Sequence, residues 1–394
     1  MTREVVFLSA ARTAIGTFGG SLKDIPPAQL GALVIKTAIE RAGVAPQDVG
    51  HVVLGNVIPS VPQDAYISRV AALDAGVPKE TPAFNVNRLC GSGLQAIISA
   101  AQAIMLGDCD VAVGAGAESM SRGAYLVTSN RWGARMGDVK MLDYVLGALH
   151  DPKQGIHMGI TAENVAARYD ITRAQQDAYA VQSQQRAAKA VAAGLFKDQI
   201  VAVELQSRKG VVLFDTDEHV KGDTTVEALS KMKPAFKKDD GTVTAGNASG
   251  LNDGAGAVVM ASADKAKALG LKPLARLVSY GHAGVEPEYM GIGPVPASRI
   301  ALEKAGLKIA DMDLIEANEA FAAQACAVAK ELGMDNEKVN PNGSGISLGH
   351  PVGATGAILV TKALYELQRT GGRYALITMC IGGGQGIALI IERI

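Results

Sequence analysis

The chain of 394 residues is poor in aromatic residues and in net charge. Aromatic side chains make up only 4% of it, so its core must be packed mainly with Ala, Val, Ile and Leu. The formal net charge is −1, with lysines and arginines scattered along the chain. Because a nucleic-acid backbone is bound by concentrated positive charge, nucleic acid is not an expected partner.

Cysteines are also few, and long apolar runs are missing. Four cysteines are too few for a secreted disulfide framework and too widely spaced for a zinc knuckle: Cys90, Cys109, Cys326 and Cys380. No run approaches the roughly 20 uninterrupted apolar residues of a spanning helix, and the N-terminal residues resemble a first strand rather than a signal peptide. We therefore expect a cytoplasmic protein with no metal and no membrane association.

What the sequence does contain is an alternation of strand-like and helix-length apolar stretches. Strands are expected at 5–9, 52–54 and 111–114, and helices at 28–42 and 94–106. Such alternation predicts an α/β fold built from crossover units on a mostly parallel sheet.

The C-terminal third repeats this pattern. Residues 38–44 match 301–307, and the stretch from 91 to 113 matches the stretch from 353 to 378. Two matches in the same order predict two duplicated α/β halves. The polar segment between them predicts an inserted loop domain that carries recognition, since loops on a rigid scaffold bind ligands. The expected boundaries are 1–119 with 250–272, then 120–249, then 273–394.

Cys90 stands in the stretch Asn87-Arg-Leu-Cys-Gly-Ser-Gly93, before a run of residues that carries no charge. A helix with so little polar surface is expected to be buried. At its N-terminus the helix dipole would favour a thiolate and lower the thiol pKa, which makes Cys90 a candidate nucleophile. The alternative is a small residue at a tight strand-to-helix turn.

His350 stands in the stretch Gly349-His-Pro-Val-Gly-Ala-Thr-Gly356, before another mostly apolar run. Proline suits the first turn of a helix, so His350 is expected at a helix mouth. If the halves are duplicates, the two helix N-termini face one cavity and pair a thiol with a histidine.

Two further stretches follow buried strands. Asn318 lies between two carboxylates in the stretch 316–324, where it would anchor a water or a carbonyl, or where the cluster would cap a helix. Cys380 ends a strand and precedes a glycine-rich turn, whose N–H groups can point at an oxyanion. Neither glycine-rich stretch spells a nucleotide phosphate-binding motif.

The stretches "NRLCGSGLQAI", "NEAFAAQ", "GSGISLGHPVGATG" and "CIGGGQG" resemble the thiolase family, in its acetyl-CoA acetyltransferase and β-ketothiolase branch. The resemblance covers the whole chain. It implies a thiolase fold, with two α/β halves in a layered α-β-α-β-α core and a loop domain that holds coenzyme A. It also implies a homotetramer and a reversible Claisen condensation of two acyl-CoA molecules, with coenzyme A as substrate or product and no metal or redox cofactor.

Residue roles follow from the resemblance at matching positions. Cys90 would take the acyl group with His350 as its base, and Cys380 would move the α-proton. Asn318, through a water, and His350 would form one oxyanion hole, and the N–H groups of Cys90 and Gly382 the other. The implied coenzyme A contacts are Leu149, His157, Met158, Lys221, Ala248, Ser249, Met290, Ala320 and Phe321.

Departures from the family and alternative activities bear on the ligand. Lys221 and Ala228 stand where relatives have arginine and serine, and lysine lacks the planar fork of arginine.

One alternative is a carrier-protein-dependent condensing enzyme, which would not need the second sulfur of Cys380. Another is a lipid-binding thiolase-fold protein without turnover, which should lack the reactive residues. The segment 131–137 resembles β-ketothiolases that accept chains longer than acetoacetyl-CoA.

Overall fold

The computed structural model describes residues 3–208 and 210–394. Its strands within these ranges are β1 (Val5–Thr13), β2 (Gly16–Thr17), β3 (His51–Gly55), β4 (Ala83–Val86), β5 (Val111–Ser119), β6 (Tyr125–Leu126), β7 (Leu142–Asp143), β8 (His150–Asp151), β9 (Ile156–His157), β10 (Ile200–Val201), β11 (Val203–Ser207), β12 (Gly210–Phe214), β13 (Asn252–Ser262), β14 (Ala275–Gly284), β15 (Leu314–Ala317), β16 (Tyr374–Ile381) and β17 (Gln385–Arg393). Its α-helices are α1 (Pro27–Ala42), α2 (Ile67–Asp74), α3 (Ser92–Leu106), α4 (Tyr144–Ala148), α5 (Met158–Arg168), α6 (Arg173–Ala192), α7 (Val226–Ser230), α8 (Ala263–Ala268), α9 (Pro294–Ala305), α10 (Ala322–Leu332), α11 (Gly345–Leu348) and α12 (Thr355–Thr370).

The main strands follow one hydrogen-bonded path, in the order β15-β16-β17-β14-β1-β13-β5-β3-β4. Between β1 and β14 only two residue pairs connect, Val6 with Arg276 and Phe7 with Ala275. This short junction divides the path into an N-terminal part, from β4 to β1, and a C-terminal part, from β14 to β15. Because β13 pairs with both β1 and β5, it lies in the N-terminal part although it follows the inserted segment.

The prediction of a mostly parallel sheet is wrong. β3 runs parallel to β4 and β5, and β15 runs parallel to β16. β13 is antiparallel to both of its neighbours, and β17 is antiparallel to β14 and β16. All eleven residues of β13 are buried. A strand that is buried on both faces has a continuous apolar sequence whether it runs parallel or antiparallel to its neighbours. The sequence pattern therefore does not predict the strand direction.

Three helix layers enclose the two parts of the sheet path. α1 and α2 pack on the outer face of the N-terminal part, and α9 packs on the outer face of the C-terminal part. α3 and α12 lie between the parts, in a shared core with inward side chains of strands from both, including Phe7 and Ile377. The layering α-β-α-β-α is the thiolase architecture that the resemblance implied.

The central helix α3 is the charge-free stretch of the sequence. Residues 89–106 are long and apolar enough to cross a membrane by length and composition, and 61% of that window is buried inside the fold. Its packing against α12 identifies it as a core helix.

The N-terminal ends of α3 and α12 approach each other closely at two glycines. A β-carbon on Gly356 would lie 2.2 Å from the backbone nitrogen of Leu94, and one on Gly93 would lie 2.8 Å from that of Ala357. Both distances are far shorter than any real carbon contact. The two glycines therefore let the helix tips, and the motifs that precede them, meet.

Candidate active site

Cys90 lies two residues before α3, in a turn with unusual backbone geometry. Leu89, just before it, has a φ of +46°, in the left-handed region that branched residues disfavour. Ser92 fixes this turn, because its hydroxyl accepts from the N–H of Arg88 at 2.9 Å and donates to the carbonyl of Leu89 at 2.6 Å. Such strain persists only where surrounding contacts over-determine it, and it is concentrated at functional sites.

The thiol of Cys90 is not activated in the way that the sequence suggested. Burial raises the pKa of Cys90 to about 11, although the N–H groups of Gly382 and of Cys90 itself act in the opposite direction. The carboxylate of Glu118 raises it further. The prediction of a lowered thiol pKa is wrong, because desolvation of the charged form outweighs the amide groups at the helix tip.

Cys380 is fully buried near the end of β16 and electrostatically coupled to Cys90. Burial raises the pKa of the Cys380 thiol far above its ordinary value, and the nearby sulfur of Cys90 adds to the rise. The turn after β16 contains Gly383 and Gly384 at φ of +78° and +79°, which explains two of the glycines. The same turn supplies the Gly382 N–H that reaches the Cys90 sulfur.

His350 lies five residues before the first residue of α12, in a turn rather than at the helix mouth. Pro351 lies four residues before Thr355, the first residue of α12, and not in the first helical turn. Its carbonyl accepts from the N–H groups of Ala354 and Thr355, so this turn leads directly into the helix. The N–H of His350 donates to Asn252 at 2.9 Å, which fixes the backbone. Burial lowers the pKa of His350 to about 4, so the imidazole is neutral near pH 7.

The hydrogen bonds of His350 define which ring nitrogen is free to act as a base. Nδ1 lies 2.7 Å from the hydroxyl oxygen of Thr355, and that hydroxyl gives its single proton to the carbonyl of Pro351 at 2.9 Å. With the hydroxyl proton in that bond, the hydrogen-bond network assigns the ring proton to Nδ1. Nε2 is left as the acceptor and faces the side-chain amide of Asn318 at 3.3 Å.

Asn318 and Glu319 directly follow β15, whereas Glu316 lies within that strand, and all three are buried. Glu316 pairs with Lys362 at 2.6 Å, and Glu319 accepts from Ser183 at 2.6 Å and from Asn340 at 3.0 Å. The side-chain oxygen of Asn318 has no hydrogen-bond partner among the described residues. The carboxylates thus fix the loop through their hydrogen bonds. The side-chain oxygen of Asn318 can accept a hydrogen bond from a water or a ligand.

A mostly apolar pocket begins at the Cys90 thiol. Its lining side chains carry no formal charge, and Gly382 and Val352 bring the glycine-rich turn and the His350 loop into the same wall. The lining residues are Val57, Ile58, Leu89, Cys90, Ala148, Leu149, Met158, Val352 and Gly382. Such a wall suits a short acyl chain attached to the sulfur.

Most of the predicted coenzyme A contacts converge on this pocket or on Cys380. One buried apolar cluster contains Cys380 with Met158, Ala248, Met290, Ala320 and Phe321. Ser249 adjoins it, since its N–H donates to the carbonyl of Ala320 at 2.9 Å, and Leu149 lines the pocket. His157 stacks on Phe236, with ring centroids 4.7 Å apart.

Lys221 is placed differently. Its residue is exposed, and its N–H donates to the side chain of Gln184 at 2.7 Å. Ala228 is likewise exposed, on α7. Neither belongs to the apolar cluster, so the structure does not bring them to the thiols.

Three residues of this site were missed by the sequence reasoning. Phe236 supplies the ring under His157, and Thr355 sets the tautomer of His350. Glu118 is a fully buried carboxylate that accepts hydrogen bonds from two loops, 56–58 and the turn that contains Gly353. Only Glu118 carried a readable signal, because an acidic residue directly after the apolar run 111–117 must be either paired or functional.

Models of two domain families match this chain. The family described as "Thiolase, N-terminal domain" matches residues 5–264, and "Thiolase, C-terminal domain" matches residues 271–393. The chain belongs to the thiolase family. This thiolase is 68% identical to "Beta-ketothiolase BktB" of Cupriavidus necator over 394 residues, which cover all of both chains. It is 51% identical to an "Acetyl-CoA acetyltransferase" of Syntrophomonas wolfei, again over all of both chains.

Solved structures agree with the fold. The acetyl-CoA acetyltransferase of Bacillus anthracis, 48% identical, matches with a TM-score of 0.97 over 100% of this chain and 99% of that one. Human mitochondrial 3-ketoacyl-CoA thiolase in complex with CoA, 46% identical, matches with a TM-score of 0.96 over 100% and 98%. The family, the fold and the acyltransferase activity that the sequence predicted are confirmed.

Proposed function

We propose that this thiolase condenses two acyl-CoA molecules to a 3-ketoacyl-CoA and free CoA through an acyl-enzyme on Cys90. The observation that carries the proposal is an apolar pocket that begins at the half-buried thiol of Cys90, with the Gly382 N–H at that sulfur and the buried thiol of Cys380 nearby. A neutral histidine with a defined free nitrogen completes the set.

In the first half-reaction the Cys90 sulfur attacks the thioester carbonyl. Since the thiol is protonated at neutral pH, its proton passes to Nε2 of His350 as the C–S bond forms. The carbonyl oxygen gains charge, and the N–H groups of Cys90 and Gly382 are the proposed donors to it. The bond to the CoA sulfur then breaks, and His350 returns the proton to the departing thiolate.

In the second half-reaction the Cys380 thiol, which is protonated at neutral pH, gives its proton to Nε2 of His350, and the resulting thiolate removes a proton from the α-carbon of the second acyl-CoA. Its raised pKa makes that thiolate a strong base. Asn318 and His350 would stabilise the enolate oxygen. The α-carbon attacks the acyl carbonyl on Cys90, and the bond to the Cys90 sulfur breaks. His350 gives its proton to that sulfur while Cys380 keeps the proton from the α-carbon, so both thiols are restored.

Coenzyme A is the proposed ligand of the surface next to the thiols. The cluster of Met158, Ala248, Met290 and Phe321 adjoins Cys380 and suits the pantetheine arm. His157 and Phe236 offer stacked rings at its edge. A solved relative with this fold is described as a complex with CoA, which supports the assignment. Lys221 would contribute only a point charge at the nucleotide end.

The domain boundaries remain part of this proposal. Residues 120–249, with helices α5 and α6, would form the loop domain that holds coenzyme A. Residues 1–119 with 250–272, and residues 273–394, would form the two halves that carry the thiols.

Acyl chains longer than acetyl are also proposed substrates, because the pocket wall contains a small residue. Ala148, at the end of α4, is part of that wall. We expect Ala148→Leu to reduce thiolysis of six-carbon 3-ketoacyl-CoA much more than thiolysis of acetoacetyl-CoA. Gly147→Ala is the matched control, since a β-carbon there meets no atom within 4 Å. Equal losses on both substrates would contradict the assignment of this wall to the acyl chain.

A homotetramer in the cytoplasm is the proposed assembly and location. β4 ends the sheet path, so one of its edges is unpaired, and Phe84 on it is exposed. A second apolar surface lies on the segment 125–142, which exposes Trp132, Met136 and Met141. Two separate surfaces of this kind fit a dimer of dimers. All four cysteines are free, which fits a reducing compartment.

Thiolysis of a 3-ketoacyl-CoA series with free CoA tests the function directly. We expect cleavage from four carbons upward, followed by the loss of enolate absorbance. Folded protein that cleaves none of these thioesters would favour the lipid-binding alternative. Cleavage only of carrier-protein thioesters would favour the other condensing-enzyme type.

A further inference from the structure

Glu118 occupies a position that joins three segments of the site. It lies near the end of β5 and is completely buried. One carboxylate oxygen accepts from the side-chain amide of Asn56 at 2.9 Å and from the N–H of Ile58 at 3.1 Å. The other accepts from the N–H of Val57 at 3.1 Å and from that of Gly353 at 2.8 Å. All four donors point at one carboxylate.

These donors connect the two halves of the protein. Val57 and Ile58 line the acyl pocket, whereas Gly353 belongs to the turn that carries His350 and Val352. The fit at Gly353 is tight, because a β-carbon there would lie 2.6 Å from the carboxylate oxygen of Glu118. The position of the His350 turn relative to the pocket therefore depends on this side chain.

Charged and titratable neighbours of Glu118 are few. On β13, Asp253 raises the pKa of Glu118, although burial is the larger cause of its rise to about 8. From the turn before α3, Cys90 faces Glu118, whose charge opposes a thiolate there. The other groups bonded to the carboxylate, from the loop 56–58 and the turn 351–354, are uncharged amides.

We propose that Glu118 is a positioning residue for the thiolase reaction: its carboxyl group holds the turn of His350 against the pocket wall and, when ionised, opposes a thiolate on Cys90. This inference rests on the proposed roles of Cys90 and His350. Glu118 touches no reacting atom. It acts through the two loops and through the field at the Cys90 sulfur.

Replacement of Glu118 by glutamine removes the ionisable group and keeps the shape of the side chain. In Glu118→Gln an amide group faces N–H donors, so the His350 turn shifts, and we expect kcat to fall about 100-fold with little change in KM. The pH profile of Cys90 alkylation by iodoacetamide, followed by peptide mass spectrometry, should shift to lower pH. Above about pH 8 the wild-type carboxylate is ionised and opposes the thiolate, whereas glutamine does not.

Glu118→Asp is the second variant, since it keeps the charge and shortens the reach. We expect its alkylation profile to return towards wild type while kcat stays reduced. Glu163→Gln is the matched control: Glu163 is also buried and accepts from Thr242 and Val243, but it holds a different loop. It should lower thermal stability and leave the Cys90 alkylation profile unchanged.

Two results would overturn the inference. One is wild-type kcat in folded Glu118→Gln, and the other is an alkylation profile that does not move in this variant. Either result leaves the proposed function standing as long as Cys90→Ala is inactive. If Cys90→Ala remained active, the proposed function itself would fail, and the two failures are thus distinguishable.

Discussion

The two halves of this thiolase share a scaffold and divide the chemistry. In the N-terminal half His51 pairs with Ala112, and in the C-terminal half Leu314 pairs with Ala375, each 263 positions further along the chain. The same shift relates the first residues of α3 and α12, Ser92 and Thr355. The duplication predicted from the sequence is thus visible in strand register and in helix position.

The first hydroxyl of each central helix shows how equivalent positions have diverged. Ser92 donates to the carbonyl of Leu89 and fixes the turn of Cys90. Thr355 donates to the carbonyl of Pro351 and also accepts from His350. One hydroxyl therefore holds a strained backbone, while the other sets the tautomer of a base.

The reactive groups themselves are distributed unequally. The N-terminal half presents Cys90 at its helix tip, where the C-terminal half has Gly353. The C-terminal half presents Asn318 at a strand end, where the N-terminal half has Gly55. A duplicated scaffold thus gives each half room at the position where the other half carries a reactive group. The following variants test this division.

Cys90→Ala should have the largest effect, because it removes the only reactive group proposed for the N-terminal half. We expect activity to fall by about 10⁴-fold or more, and no acetyl group should be found on the enzyme by mass spectrometry. Cys109→Ala is the control, since Cys109 lies away from the pocket beside Arg3. Wild-type turnover in Cys90→Ala would refute the nucleophile assignment.

Cys380→Ser should block the condensation step, in which Cys380 acts as the base, but should leave the acylation of Cys90 intact. Serine is a much weaker acid than a thiol, so condensation should slow by about 10²-fold to 10⁴-fold. Acetylation of Cys90 by acetyl-CoA should remain detectable by mass spectrometry. Loss of acetylation in a folded variant would show that Cys380 acts in both steps.

Thr355→Val should break the tautomer arrangement of His350 without changing the shape of the helix tip. An unsatisfied Nδ1 costs about 1–3 kcal/mol, which corresponds to a loss of about 5-fold to 150-fold in kcat. Ser92→Ala is its counterpart in the other half. We expect Ser92→Ala to lower thermal stability more than it changes the pH dependence of kcat, and Thr355→Val to do the reverse. The opposite pattern would contradict the different roles of the two hydroxyls.

Gly356→Ala should weaken the contact between the halves. Because the new β-carbon would meet the backbone of Leu94, we expect the free energy of unfolding to fall by about 1–3 kcal/mol. Urea unfolding measures this loss, with Gly147→Ala as control. A variant as stable as wild type would mean that the helix tips can separate without cost.

The smallest expected effect is a pH dependence of stability. Burial raises the pKa of Glu118 to about 8 and that of Glu316 to about 7, so stability falls as pH rises from 4.5 through these values. Burial lowers the pKa of His350 to about 4, so stability also falls as pH drops below 6.5. Above about pH 6.5 only the carboxylates contribute to this balance, and Tm should decline towards pH 8.5. Glu118→Gln should flatten the decline.

Several features were predictable because they are local or repeated. The charge-free stretch predicted a buried α3, and the repeated segments predicted two α/β halves. The motifs around Cys90, His350 and Cys380 named the candidate reactive groups and the family. A motif keeps its residue types and spacing whatever the rest of the chain does, so these predictions needed no knowledge of packing.

Other features depend on which segments meet in space. The sequence did not predict the antiparallel direction of β13, the raised thiol pKa of Cys90 or the four hydrogen bonds accepted by Glu118. Strand direction is set by distant connections, and a pKa is set by the solvent that packing removes. Four donors from two segments, one in each half, converge on Glu118 only after both halves have folded. The sequence thus determined which reactive groups this thiolase has, and tertiary structure decided their protonation and relative position, because burial and proximity arise only from contacts between residues far apart in the chain.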